Sequence, residues 1–67
     1  MPSQIDIYRS AKLLIDQHGQ NAARHAAKRA DALLDAGDME GRRAWLSILE
    51  AIEELRRTRL RGDEPMH

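Results

Sequence analysis

Three histidines, at positions 18, 25 and 67, are the natural candidates for metal chemistry in a chain that has no cysteine. His18 and His25 stand seven residues apart across a helix break, and His67 is far from both. No pair therefore has the i,i+4 spacing that lets one helix face hold a metal ion. His18 is expected to close a helix, where a protonated imidazole suits the negative end of the helix dipole, and His25 is expected to be solvated. Nucleophilic chemistry is no better provided for. Ser10 and Ser47 have no base placed beside them by spacing, and the glycines stand singly at 19, 37, 41 and 62, so there is no phosphate-cradling loop. An interior of alanine and leucine also leaves little room for a substrate pocket. The expectation is a protein that is not an enzyme and carries no metal and no cofactor.

The arginines have more to offer a ligand. They make up nine of the eleven basic residues, which eleven acidic residues balance to a formal net charge of zero, so no overall field draws the chain to nucleic acid or an anionic membrane. Locally, Arg24 and Lys28, with Arg29 and His25 beside them, lie on the outer side of the middle of the chain. Arg42 and Arg43 follow, and then Arg56, Arg57, Arg59 and Arg61. These are the candidate phosphate contacts of a nucleic-acid-binding regulator. Against that stand Asp31 and Asp35, which share the Arg24/Lys28 stripe at helical spacing, and Glu50, Glu53 and Glu54, which repel phosphate. A helix-turn-helix around residues 36–38 is also poorly matched. Leu33 occupies the place where that motif has a small residue, and the stretch 39–45 offers few base-reading side chains beyond Arg42 and Arg43. Nucleic-acid binding is the second reading and a solvated salt-bridge face the first.

Helices must position all of these groups. Ser3-Gln4-Ile5-Asp6 is a Ser-x-x-acid capping pattern, and Ile7, Tyr8, Ala11, Leu14 and Ile15 form an apolar stripe behind it, which predicts a helix over about 4–18 that Gly19 ends in a left-handed conformation. Asn21 is the expected N-cap of a second helix, about 22–36. Its seam of Ala22, Ala23, Ala26, Ala27, Ala30, Leu33 and Leu34 invites larger side chains to close on it from both flanks. Gly37 stops it and Asp38 starts a third helix, about 39–60, too short a connection for anything but antiparallel neighbours. The large residues of this third helix, Ala44, Trp45, Ile48, Leu49, Ile52 and Leu55, share one face. Arg43, Leu46, Ser47, Glu50, Glu53, Glu54 and Arg57 are expected outside, with Glu53 and Arg57 in the favourable i,i+4 order. The fold class is all-α, a small three-helix bundle over residues 1–61 with a disordered tail at 62–67.

With 67 residues the chain forms one domain whose core supplies only a few kcal/mol, without disulfides to help. A helix over 39–60 would extend roughly 30 Å against about 22 Å for each of the others, so its last two turns overhang. Ile5, Leu13, Leu46 and Leu60 lie outside the main stripes and are the candidate partner contacts. Overhang and stray apolar residues together predict that dimerisation completes the bundle, or that a protein partner does. No apolar run reaches the roughly 20 residues of a membrane span, and Met1-Pro2-Ser3-Gln4 lacks the layout of a signal peptide, so a cytoplasmic protein is expected.

The order His18-Gly19, an alanine-rich helix with Arg29-Ala30-Asp31, Gly37-Asp38, then Gly41, Trp45, Ile48 and Leu55 resembles a family of short, uncharacterised bacterial helical proteins, a domain of unknown function. The likeness covers roughly residues 7–55. It implies the helical fold and assigns no residue a catalytic or binding role.

Overall fold

The computed structural model describes residues 3–62, with the backbone alone for 59–62. The described residues are all-helical. The Ser3 side chain accepts a hydrogen bond from the Asp6 amide at 3.2 Å and starts α1 (Gln4–His18) as its sequence predicts. At Gly19 the chain departs from expectation. Its φ of 57° is positive, but a ψ of −124° takes it out of the left-handed helical well and sends the backbone into a 3-10 turn, Gly19–Asn21. The turn leads straight into α2 (Ala22–Asp35), so Asn21 makes no capping hydrogen bond with its side chain. The Ala22 amide already donates to the Gly19 carbonyl, and the turn does part of the work a cap would do. Helical structure thus continues unbroken through α1, the turn and α2, as one arm bent in the middle.

The second connection follows its sequence closely. Gly37 has φ of 80°, its amide donates to Leu34 at 3.0 Å, and the Asp38 amide reaches back to the Leu33 carbonyl at 2.8 Å, the paired closure of a Schellman motif. Asp38 then turns its carboxylate onto the Gly41 amide at 2.9 Å and opens α3 (Met39–Gly62). A side chain at position 41 would place its Cβ 2.7 Å from the Asp38 carboxylate, so glycine there leaves the cap its space. The final helix runs to Gly62, two residues beyond its expected end, and residues 63–67 of the expected tail lie outside the described residues.

Of the expected seam, Ala22, Ala26 and Ala30 are buried, Ala23, Ala27 and Leu33 are half-buried and Leu34 is exposed, and the seam is not the centre of the molecule. Both other helices pack on α3, while α1 and α2 share little contact with each other. Ala22, Ala26 and Ala30 of α2, Ala11 and Leu14 of α1, and Ile48, Ala51 and Ile52 of α3 are the buried apolar residues, and Ile52 is the largest side chain fully enclosed. Small residues let α2 approach closely, whereas the bulk that fills the space comes from the helix touched on two sides. Two-sided contact also explains the faces of α3. Ala51, absent from the expected stripe, is buried, and Ser47 and Leu46, expected outside, are half-buried, because a helix with two neighbours hides a wider arc than a single stripe.

Its length is explained in the same way. Arg29 of α2 lies over Trp45, near the start of α3, while Lys12, Ile15 and Asp16 of α1 line a groove with Leu55 and Thr58, further along. The two shorter helices share α3 end to end, and α1 reaches as far as Thr58. The expected two-turn overhang is correspondingly reduced. The molecule is elongated, 47 × 23 × 15 Å.

Candidate interaction surface

The bend brings together side chains whose spacing gave no hint of it. The His18 and His25 rings stack with centroids 4.5 Å apart and planes 15° from parallel, and His25 meets the Trp45 indole edge-on at 6.0 Å. The Arg29 guanidinium lies 5.4 Å from the Trp45 ring centroid, within cation–π range. His25 is therefore half-buried and not solvated, and Trp45 is covered by a cation and an imidazole as well as by the core. Only the path of the backbone through Gly19–Asn21 decides that contact, so the sequence carried no signal for it. Stacked rings direct their nitrogen lone pairs outward in their own planes and not at a shared point. Among the described residues no group of three or more metal-ligating side chains is gathered.

A second polar contact joins α1 to α3. The Tyr8 hydroxyl donates to the Glu54 carboxylate above a cleft of about 230 Å³ lined by Gln4, Ile7, Ser47, Glu50 and Ala51. The phenol is held above its ordinary ionisation range first by this hydrogen bond, next by burial, and then by the negative charges of Glu54 and Glu50. The contact ties α1 to α3 across the cleft.

The apolar residues expected to meet a partner fall into three groups. Ile5 is 68% exposed and Leu13 55% exposed, both on α1. Leu46 is half-buried and offers little, and Leu60 lies outside the side chains described. Two more, Leu34 at 45% and Met39 at 49%, were not singled out by their spacing. Leu34 belongs to the expected seam, yet α3 starts only five residues later and leaves it exposed. The available signal was a pair of large apolar residues flanking a tight turn. The groove between α1 and α3 holds about 370 Å³, with Ile15 and Leu55 as apolar walls and Lys12 and Asp16 exposed on its rim.

The candidate phosphate contacts divide as well. Arg24, Lys28, Arg43, Arg56 and Arg57 are exposed, whereas Arg42 is half-buried with its Nε enclosed and without a hydrogen-bond partner. Arg59 and Arg61 lie outside the side chains described. Asp31, Asp35, Glu50, Glu53 and Glu54 are exposed on the same two helices, so neither presents a purely basic face. Compared with protein-family models, curated proteins and solved structures, the chain matches none. Among the described residues no helix is long and apolar enough to cross a membrane.

Proposed function

We propose that this chain is a small, non-catalytic protein-interaction module of the cytoplasm, a three-helix unit that is completed by a second copy or by a protein partner. The carrying observation is the imbalance between what is buried and what is exposed. Of the eight buried apolar residues among those described, five are alanine, leaving Leu14, Ile48 and Ile52 as the large ones. Three such side chains contribute roughly 1.5–3 kcal/mol each, which is thin cover for a domain's conformational entropy. Meanwhile Ile5 and Leu13, side chains of the same kind, stand in solvent on one helix. Bringing them under cover adds the apolar burial that the isolated chain lacks. Sedimentation equilibrium at micromolar concentration tests the reading: association beyond 7.6 kDa is expected, weakened when Ile5 and Leu13 are made serine. A single species of monomer mass with a concentration-independent melt removes the case for self-association.

The exposure of Arg24, Lys28, Arg43, Arg56 and Arg57 supports a second reading, a nucleic-acid-binding regulator. Binding through several phosphates weakens steeply with salt, so a gel shift at low salt that fades by physiological salt is its signature. No shift at low salt rejects it.

A further inference from the structure

We propose that the His18–His25 pair is a pH-sensitive latch on the bend between α1 and α2, stacked while it holds at most one proton and parted once acid places a proton on each ring. The contact itself carries the argument. His18 closes α1 and His25 is the fourth residue of α2, yet their rings stack at 4.5 Å and 15° across the turn Gly19–Asn21. Two imidazolium rings so placed would set like charges face to face, well inside the distance of about 8 Å over which physiological salt screens them. A single proton meets no such repulsion. The helices decide where that proton sits, because the last turn of α1 is a negative dipole end that favours a cation on His18, whereas His25 lies near the positive end of α2.

The charges around the pair oppose a second proton as well. Lys28 and Arg29 stand three and four residues from His25 on α2, with Arg24 beside it, and Arg29 already lies over the indole that His25 meets edge-on. On α3 the residues at helical spacing from Trp45 are Arg42, Glu53 and Arg56, and in the last turn of α1 the charged neighbour of His18 is Asp16. No carboxylate stands three or four residues from either histidine. Five cations against two carboxylates leave the surroundings of the stack positive. Parting of the rings has a defined extent. Ala11 and Leu14 are buried and Tyr8 is bonded to Glu54, so α1 stays on α3 while the exposed joint Gly19, Gln20 and Asn21 takes up the change.

Proton magnetic resonance of the full chain tests the latch at about pH 7.5 and about pH 5, on either side of the ordinary histidine value of about 6.5. Cross-peaks between the two imidazole rings are expected at the higher pH and are expected to lose most of their intensity at the lower, while those of the buried Ala11, Leu14 and Ile52 methyls keep theirs. Melts add a second readout. The unfolded chain takes up both protons freely and the folded stack resists the second, so stability is lost as pH falls. Between the same two pH values the wild-type melting temperature is expected to fall by about 2–6 °C more than that of His18→Gln or His25→Gln, each of which leaves a single ring to protonate. Ring cross-peaks that persist at the lower pH, or equal acid losses in all three proteins, overturn the latch. Ring cross-peaks absent at both pH values overturn the stack on which it rests. Neither result bears on association through Ile5 and Leu13, which sedimentation reads separately.

Discussion

The carboxylate of Asp38 sits where one helix ends and the next begins, and it has no substitute nearby. Its amide closes α2 through the Leu33 carbonyl while its side chain holds the Gly41 amide at the start of α3. Asp38→Ala leaves the backbone closure intact and removes the side-chain cap, so a loss of about 1 kcal/mol is expected by chemical denaturation. Asp38→Asn, which retains an acceptor oxygen, should recover most of it. Tyr8 gives a prediction in pH. Its phenol ionises above the usual 10.0 because the hydroxyl donates to Glu54 and because burial and the Glu54 and Glu50 charges disfavour the phenolate. A group whose folded ionisation is raised contributes stability that is fully present below its unfolded value and lost as pH rises through the folded one. The melting temperature is therefore expected to fall above about pH 10 in a way that Tyr8→Phe, which cannot ionise, does not reproduce. Equal alkaline losses in the two proteins would show that the Tyr8–Glu54 contact is not held in solution.

At the scale of the element, the boundaries at Ser3, Gly37 and Asp38 were legible in the sequence because single residues set them, whereas the joint at Gly19–Asn21 was not. Ser3, Gly37 and Asp38 each act through their own side chain or φ angle, and each does in the structure what its type implies. The choice of central helix was not legible, because an apolar stripe looks the same whether one neighbour or two will cover it. Ala51 shows the difference: as a small residue beside Ile52 it marked no stripe, yet it is buried once α1 takes the second side of α3. The exposed apolar residues were half legible. Ile5 and Leu13 stood out by falling off the α1 stripe, while the His18–His25 stack depends on the ψ angle of Gly19, which no residue type announces. Packing at the centre predicts unequal responses to change. Ile52→Ala empties the one large, fully enclosed site and is expected to cost about 2–5 kcal/mol, close to the whole stability of so small a domain. Ala26→Leu pushes α2 away from α3 by overpacking and is expected to cost about 1–3 kcal/mol. The same change at exposed Ala32 is expected to be near neutral, since no helix lies against it. Urea midpoints of the three variants give the comparison directly.

At the scale of the molecule, the described residues form a long helix, α3, with one bent helical arm laid along it, and that layout leaves surface unshared. In a bundle whose helices all touch one another each inner face is used by two neighbours, but here α1 and α2 meet little beyond their turn, so the interior is narrow. Its alanine-rich composition follows from that narrowness. Cover supplied by a second copy has a thermodynamic signature that cover within one chain lacks. For a folded dimer in equilibrium with unfolded chains, each tenfold rise in protein concentration stabilises the dimer by about 1.4 kcal/mol, or about 0.7 kcal/mol per chain. A domain of this size shifts its melting temperature by about 4–8 °C per kcal/mol, which gives a rise of about 3–6 °C per decade of concentration. Melts followed by far-ultraviolet circular dichroism from about 5 to 500 μM, two decades, are expected to move by that amount per decade, and by nearly as much in half-molar salt, because apolar burial is not screened. Leu13→Ser, monomeric across the range, should melt at one temperature throughout, at or below the lowest wild-type value. Wild-type melts that also stay fixed would mean that the three large buried side chains suffice without a partner, and that the exposure of Ile5 and Leu13 is ordinary surface.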